Sequence, residues 1–406
     1  MTTQRTLRLA RVDTFVWRVP LAEPVRNSFG MMKSRAALAV RIEDTEGAHG
    51  WGEVFSNWPP DGAEHRARLI EEVLAPLALE SAHESPAALF DNLTRRTRVL
   101  VLQTDEPGPF AQAIAGLDIA AWDLVSRRAG LPLWRCLNPE AAARLPADGA
   151  ADGAAGGAAR VPARVSARVP VYASGINPTR PVEVALAQRD LGFRAFKLKV
   201  GFGVDRDLGN LRDLRSALGT AATLMIDANQ AWDLETGLAM AARMAEADPL
   251  WLEEPMPADT PVQTWRSFAE RSPIRLAAGE NLRGRAEFAA ALAGGALSYV
   301  QPDVIKWGGI SGCFDVGSAI VAAGLVYCPH YLGGGIGLNA SAHLLAAVGG
   351  EGLLEVDSNP NPLRDALAQP APLIEDGHWV MSAAAGLGVE PDLQSLLRYR
   401  AGRVVN

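Results

Sequence analysis

Hydrophobic positions in the first third of the chain alternate at first and then change to helical spacing. Residues 6–19 and 35–43 alternate as strands do, and a third predicted strand ends near Gly52-Glu53-Val54. Helical spacing follows at residues 64–77, 86–98 and 109–129. Strands followed by helices predict an α+β module, which we place at residues 1–137.

A second pattern begins at residue 169, where short strand-like runs recur with helical patterns between them. The runs are spaced by about 23 to 27 residues, and eight such units predict a parallel (β/α)8 barrel at residues 169–376. Their centres are Val171, Leu198, Met225, Leu252, Ala277, Val300, Tyr327 and Leu354. Active sites of such barrels lie at the C-terminal ends of the strands, so polar residues there become the candidates.

Two further segments complete the predicted organisation. Residues 138–168 are rich in alanine, glycine and arginine and have too few large apolar side chains to form a core. We interpret them as a linker or insertion and assign them no function. Residues 377–406 contain a predicted strand at His378-Trp379-Val380 and a short helix, and we expect them to pack on the first module.

Composition and charge exclude several classes of function. The chain has 406 residues, a formal net charge of −7 and no run of five or more basic residues, so it predicts no nucleic-acid partner. The N-terminus lacks the apolar stretch of a signal peptide, and no apolar run is long enough to span a membrane, which predicts a cytoplasmic protein. Cys136, Cys313 and Cys328 are widely spaced and predict neither a disulfide framework nor a zinc-thiolate site.

The second barrel strand carries a Lys-x-Lys pair. Alternation places Lys197 and Lys199 on one face of the strand, where two ammonium groups repel each other unless an anion lies nearby. A solvated edge strand with two surface lysines is the alternative for an isolated pair of this kind.

Acidic residues end the next three strands. Asp227, Glu253 and Glu280 close the third, fourth and fifth strands and are expected to meet at one rim. Each alone is unremarkable, since an acidic residue after a strand is usually a helix N-cap, but three repelling carboxylates at one rim predict a hard divalent cation such as Mg²⁺. Glu254 follows Glu253, and alternation lets only one of the two point inward, which leaves open which one binds the metal.

An acid/base pair is predicted at the sixth and seventh strands. Asp303 and His330 end neighbouring strands, and a carboxylate beside an imidazole fixes its tautomer and raises its basicity. A histidine on a loop alone is more often structural. Glu355 lies at the end of the eighth strand. With a lysine on the second strand and His330 after the seventh, the predicted site has one base candidate on each side of a bound substrate.

In combination, these motifs resemble the enolase superfamily and, within the mandelate racemase/muconate lactonizing enzyme family, the mandelate racemase subgroup. The resemblance covers nearly the whole chain. Muconate-lactonizing relatives carry a lysine base where this chain has Asp303, and Lys306 does not match that base, so we interpret Lys306 as structural. The resemblance implies that Asp227, Glu253 and Glu280 bind Mg²⁺ and that Asn229 and Glu355 lie near the metal or the substrate carboxylate. It also implies that Lys199 is one base, with Lys197 beside it to stabilise charge, and that His330, oriented by Asp303, is the second acid/base.

The resemblance also implies the reaction. The proton α to a substrate carboxylate is removed through a metal-stabilised enediolate, and Lys197 and the metal are expected to lower the pKa of Lys199. We favour dehydration of an acid sugar to a 2-keto-3-deoxy acid, with a racemase or epimerase as the alternative and a non-catalytic metal or carboxylate binder as a minor one. Relatives of this kind are homo-oligomers that act on small-molecule carboxylates.

In this family the first module caps the barrel mouth and contributes specificity. The segments 27–32 and 55–60 are candidate lids, with Asn27, Phe29, Asn57 and Trp58 as candidate substrate contacts. Ordinary surface loops are the alternative for both. The glycine-rich run 331–337, directly after His330, is expected to let the backbone approach a ligand closely.

Overall fold

A computed structural model describes residues 6–27, 30–139 and 168–401 of the chain. Phe29 and almost all of the predicted 138–168 linker lie outside the described residues. The domain boundaries given above remain a prediction.

The first module is a β-meander covered by helices. Its strands pair as an antiparallel sheet, and the first hairpin is longer than predicted, since pairing continues to Asn27 opposite Gly30 after an irregularity between Pro20 and Val25. A long hairpin tolerates such a bulge, which changes the twist without ending the ladder. The elements are β1 (Leu9–Asn27), β2 (Gly30–Asp44), β3 (His49–Val54), α1 (Gly62–Leu69), a π-helical turn (Ile70–Leu74), α2 (Ala75–Leu79), α3 (Pro86–Thr104), α4 (Pro107–Ala129) and α5 (Leu133–Leu137).

The second module is the predicted (β/α)8-type barrel, and all eight predicted strand centres fall within its strands. Strands β4 to β10 pair in order and in parallel, and β11 pairs with β4. No ladder joins β10 to β11 in the described residues, but the Leu353 N–H lies 3.4 Å from Cys328 Sγ between them. The strands are β4 (Arg168–Ile176), β5 (Ala195–Lys199), β6 (Thr223–Asp227), β7 (Leu252–Glu253), β8 (Leu276–Ala278), β9 (Tyr299–Val300), β10 (Val326–Tyr327) and β11 (Leu354–Asp357).

Helices alternate with these strands and cover the outside of the barrel. The N-terminus of one of them contacts the capping module, because Ser311 donates to the buried Asp118 of α4 from both its N–H (2.9 Å) and its hydroxyl (2.6 Å). No helix in the described part of the chain is long and apolar enough to cross a membrane. The helices are α6 (Pro181–Asp190), α7 (Val204–Leu218), α8 (Leu234–Met244), a 3-10 turn (Ala245–Ala247), α9 (Val262–Arg271), α10 (Gly284–Gly294), α11 (Gly309–Ala322) and α12 (Gly335–Val348).

The C-terminal segment contacts both modules. A short hairpin extends the barrel sheet by pairing with β4, and the last strand pairs with β1 of the capping module, with Ala401 opposite Val16. These contacts, with the Asp118 contact, hold the capping module against the barrel. The elements are α13 (Pro362–Leu367), β12 (Leu373–Glu375), β13 (His378–Val380), α14 (Leu393–Leu396), a 3-10 turn (Leu397–Tyr399) and β14 (Arg400–Ala401).

Candidate active site

The two lysines of β5 point into the barrel toward carboxylates. In the parallel register Lys199 lies opposite Asp227 of β6, and its Nζ forms a short ion pair with that carboxylate. Lys197 is fully buried, and its Nζ lies 2.6 Å from Glu253 and 2.8 Å from Glu355. The anions that an inward lysine pair requires therefore come from three other strands.

Asp227 and Glu253 are neighbours in the register of β6 and β7, and each is held by further donors. The backbone N–H of Asn229 lies 2.8 Å from Asp227 Oδ1, and the Asn229 side-chain amide lies 3.4 Å from Oδ2. The second oxygen of Glu253 accepts from Gln301 at 2.7 Å and from the indole of Trp251 at 3.1 Å. These contacts fix both carboxylates at the predicted rim.

Glu254 also lies at the site, although strand alternation predicted that only one of the two glutamates would point inward. Strand β7 ends at Glu253, and Glu254 has a left-handed backbone with φ of 37°, so the alternation stops there. Its carboxylate accepts from Gln230 at 3.0 Å and from Asn281 at 2.9 Å. Burial, helped by the charge of Glu280, raises the pKa of Glu254 to about 7. The strand pattern therefore does not exclude Glu254 as a ligand.

The predicted acid/base pair is formed on the other side of the rim. Asp303 and His330 form a parallel bridge, and His330 Nδ1 lies 2.6 Å from Asp303 Oδ2. Its Nε2 lies 2.7 Å from Glu280 and 3.8 Å from Glu355. Burial opposes the charged imidazolium, but Glu280 and Glu355 raise the pKa of His330 well above its ordinary value. One ring nitrogen is thus fixed by Asp303, and the other faces the carboxylates.

Lys306, which the sequence led us to interpret as structural, enters the site. Its Nζ lies 3.1 Å from Glu280 and 3.1 Å from Asn281, and 5.4 Å from the centre of the Phe55 ring in the capping module. The turn that directs it inward is held by Asp303 Oδ1, which accepts from the Lys306 N–H at 3.1 Å. Its proximity in sequence to Asp303 was the available signal, because a capped turn brings the third residue back to the rim.

The expected lowering of the Lys199 pKa is not what this structure gives. Burial disfavours the ammonium, but the Asp227 and Glu253 carboxylates together outweigh burial and the charge of Lys197, so the pKa of Lys199 lies above its ordinary value. For Lys197, burial is likewise outweighed by Glu253 and Glu355, and its pKa lies well above the ordinary value. The lowering was predicted from the charge of Lys197 and the metal, without the Asp227 carboxylate that contacts Lys199.

The donor set fits a divalent cation by its charge. Six buried or nearly buried carboxyl groups face four basic groups, so an excess of two negative charges arises when all ten groups are ionised. That excess is unfavourable without a cation, and burial accordingly raises the pKa of Glu253 to about 8 and that of Glu254 to about 7. Within the described part of the chain, no three such groups surround one point at metal-ligand distances, and the carboxylates are instead in contact with the basic groups. Carboxylate oxygens in excess of their counter-charges are what Mg²⁺ prefers. The groups are Asp227, Glu253, Glu254, Glu280, Asp303 and Glu355 against Lys197, Lys199, Lys306 and His330.

The second candidate lid segment contacts the loop that carries His330. The Asn57 side-chain amide donates to the Leu332 carbonyl at 2.8 Å. Trp58 is half-buried against the main core, and Arg66 donates to its carbonyl at 3.1 Å. Asn27 ends β1, but its side chain lies outside the described structure, as does Phe29. Only Asn57 and Trp58 of the four candidates are thus placed, and substrate contact by them remains a prediction.

A buried glutamate from the capping module occupies the backbone donors of the glycine-rich run. Glu53, at the end of β3, accepts from the Gly334 N–H over a short distance and from the Gly337 N–H at 2.9 Å. We expected these glycines to let the backbone approach a ligand, whereas a Cβ at Gly334 would meet Glu53 itself at 2.8 Å. Glu53 therefore joins the capping module to the N-terminus of α12, which sequence reasoning missed.

The buried Glu53 predicts a pH-dependent stability. Burial raises its pKa from 4.5 to about 7, although the Gly337 and Gly334 N–H groups oppose the shift. The stability that this raised pKa provides is complete below pH 4.5 and is lost as pH rises through 7, by about 3 kcal/mol. We expect the urea midpoint of the wild type to fall more steeply between pH 5 and pH 8 than that of Glu53→Gln. Glu43→Gln, a surface variant on β2, should follow the wild type, and parallel wild-type and Glu53→Gln profiles would contradict the prediction.

Comparison with known proteins assigns the family. The sequence profile described as "Mandelate racemase / muconate lactonizing enzyme, N-terminal domain" matches residues 11–137, and "Enolase C-terminal domain-like" matches residues 182–395. The chain belongs to the mandelate racemase/muconate lactonizing enzyme family of the enolase superfamily. Family membership confirms the predicted resemblance and the capped-barrel fold.

Relatives cover nearly the whole chain. A 3,6-anhydro-alpha-L-galactonate cycloisomerase from Streptomyces coelicolor is 30% identical over 97% of this chain and 100% of its own length. The structure of a mandelate racemase/muconate lactonizing enzyme from Bordetella bronchiseptica is 48% identical, with a TM-score of 0.84 over 97% of this chain and 100% of that chain. A racemase from Streptomyces coelicolor with bound magnesium is 28% identical, with a TM-score of 0.80 and the same coverage. This member of the family is an enzyme, a lyase or an isomerase.

Proposed function

We propose that the enzyme uses Mg²⁺ to remove the proton α to the carboxylate of an acid sugar and eliminates water to give a 2-keto-3-deoxy acid. The observation that carries this proposal is the placement of Lys199 at the end of β5 and of His330 in the loop after β10, each in contact with carboxylates of the site. Relatives named arabinonate dehydratase (27% identical) and L-talarate/galactarate dehydratase (28% identical) support an acid sugar as the substrate.

Each residue has a distinct task in this reaction. Asp227, Glu253 and Glu280 are the proposed ligands of Mg²⁺, which when bound would supply positive charge next to the substrate carboxylate. Lys199 Nζ takes the α proton, and the Lys197 ammonium stabilises the negative charge that develops. His330 donates the proton with which the β-hydroxyl departs as water, and the resulting enol tautomerises to the keto acid.

A racemase or epimerase is the second candidate, and the magnesium-bound racemase among the structural neighbours favours it. If the substrate has no hydroxyl on the β-carbon, His330 returns a proton to the face of Cα opposite Lys199. The same two groups then invert the stereocentre without loss of water.

A screen in D₂O tests the proposal and separates the two candidates. Purified enzyme with Mg²⁺ is incubated with aldonic and aldaric acids, keto acid is measured with semicarbazide, and Cα exchange is followed by NMR. Formation of keto acid that stops when EDTA is added supports dehydration, whereas exchange with inversion alone supports the racemase.

The matched variants Glu253→Gln and Glu254→Gln, compared by Mg²⁺ titration calorimetry, decide which glutamate is the metal ligand. No exchange and no product from any acid would contradict the proposal.

Three further properties remain predictions. These are a cytoplasmic location, homo-oligomeric assembly and the lack of a nucleic-acid partner. The family supports a small-molecule substrate for the enzyme, and size-exclusion chromatography with light scattering measures the assembly directly.

A further inference from the structure

Arg35, in strand β2 of the capping module, is a buried guanidinium with unused donors. Its side chain is 2% exposed, and Nη2 lies 2.6 Å from Asp357 Oδ2. Nε and Nη1 have no hydrogen-bond partner among the described residues. An unsatisfied buried donor costs free energy, more so on a charged group, so such a donor in a native protein indicates a missing partner.

Arg35 is connected to the barrel mouth through Asp357. Asp357 ends β11 two residues after Glu355, and the period of two in a strand places both on the same face. Glu355 lies 2.8 Å from Lys197 inside the barrel. Asp357 therefore lies one layer above the candidate active site, on the side from which the capping module approaches, and Arg35 lies beyond it.

The surroundings of Arg35 define what chemistry fits its free donors. Asp357 already balances its charge, and the second Asp357 oxygen is taken by the N–H (3.0 Å) and side-chain amide (2.7 Å) of Asn359. Asn177 donates to Asn359 at 2.8 Å, so the rim here is polar. Two unpartnered nitrogens on a charge-balanced guanidinium, with three N–H bonds between them, call for oxygen lone pairs from a hydroxyl or a carboxylate.

We infer that Arg35 is a specificity-determining residue, which binds an oxygen atom at the end of the substrate distal to the reacting carboxylate. This inference rests on the proposed function, since it adds to that site a contact for the far end of an acid sugar. A terminal hydroxyl, as in an aldonic acid, and a second carboxylate, as in an aldaric acid, are the two sources of such an oxygen. A three-carbon acid such as glycerate has a terminal hydroxyl but is too short to place it at Arg35 while its carboxylate occupies the reacting end of the site.

Binding to the Mg²⁺-loaded full-length enzyme tests the inference independently of turnover. Dissociation constants are measured by calorimetry for glycerate, a six-carbon aldonate and a six-carbon aldarate with wild type, Arg35→Met and Arg35→Lys. We expect the wild-type preference for a six-carbon acid over glycerate to fall about 10- to 100-fold in Arg35→Met, with a partial fall in Arg35→Lys. Arg41→Met, on the same strand and paired with Glu43 at the surface (2.9 Å), should keep the wild-type preference.

The outcomes separate this inference from the proposed function. If the preference for six-carbon acids over glycerate depends on Arg35 but no acid is turned over, the inference stands and the dehydratase proposal is rejected. An equal loss for long and short acids, an unchanged preference in Arg35→Met, or no wild-type preference for long acids would overturn the inference. If Arg35→Met does not fold, the test is made on the wild type by comparing an aldonate with the same acid lacking its terminal hydroxyl. The inference requires the acid without that hydroxyl to bind about 10-fold more weakly than the parent acid. Aldonate or aldarate as the tighter ligand identifies the source of the oxygen.

Discussion

Replacing Lys199 by methionine is expected to lower the rates of Cα deuterium exchange and of keto-acid formation by about 10³-fold. Methionine keeps the length and apolar character of the stem and removes the amine that takes the α proton. Lys199 is the lysine that contacts Asp227, and its side chain is 19% exposed, whereas Lys197 is fully enclosed by its carboxylate partners. Lys199 is therefore the more accessible of the two lysines, as a base that takes a proton from the substrate must be.

The measurement needs a control for charge and a control for folding. Lys33→Met removes a lysine from the exposed face of β2 and should leave both rates unchanged. Mg²⁺ affinity and the melting temperature of Lys199→Met should stay near the wild-type values or rise, because Asp227 loses a competing cation. Turnover within tenfold of the wild type would mean that another group is the base.

The Lys199 assignment also explains why its pKa in this structure lies above the ordinary value. The rise comes from the Asp227 and Glu253 carboxylates, which together outweigh burial and the charge of Lys197. When the charges of both carboxylates are compensated, burial and Lys197 remain as lowering influences, and the amine becomes a base at a pH closer to neutral. The direction predicted from sequence therefore applies to a site whose carboxylates are neutralised.

Sequence periodicity was sufficient to predict the barrel because its strands repeat a local pattern. Alternation and spacing located all eight strand centres, and position at a strand end then identified Asp227, Asp303 and His330 as rim residues. Strand register then brings these residues together, since parallel neighbours place their C-terminal ends at one rim. The pairing of Lys199 with Asp227 and of His330 with Asp303 follows from that register.

The residues that sequence reasoning missed depend on contacts that no local pattern encodes. Glu53 and Gly334 are 281 residues apart, and Arg35 and Asp357 are 322 residues apart, so both contacts exist only once the capping module has docked. Glu254 departs from the pattern because one left-handed backbone angle ends the strand. Each exception lies where a strand meets the other module or its own loop.

Replacing His330 by asparagine is expected to separate the two halves of the reaction. Asparagine cannot transfer a proton, so keto-acid formation should fall by about 10²- to 10⁴-fold. Deuterium exchange at Cα through Lys199 should continue, because Lys199 and its Asp227 contact lie on β5 and β6, whereas the His330–Asp303 pair lies beyond the ends of β9 and β10. The ratio of exchange to dehydration, measured by NMR on one sample, should therefore rise by at least tenfold.

Asp303→Asn separates the orientation of the His330 imidazole from its role in proton transfer. It keeps the imidazole but replaces the 2.6 Å carboxylate partner of Nδ1, so its loss of dehydration should be smaller than in His330→Asn and should vary with pH. His65→Asn, which removes a capping-module histidine 2.9 Å from Glu106, should leave both rates unchanged. Parallel loss of exchange and dehydration in His330→Asn would mean that this histidine is required for the first proton transfer. Unchanged dehydration would remove it from the reaction, because a leaving hydroxyl needs a proton and Lys199 is already engaged as the base.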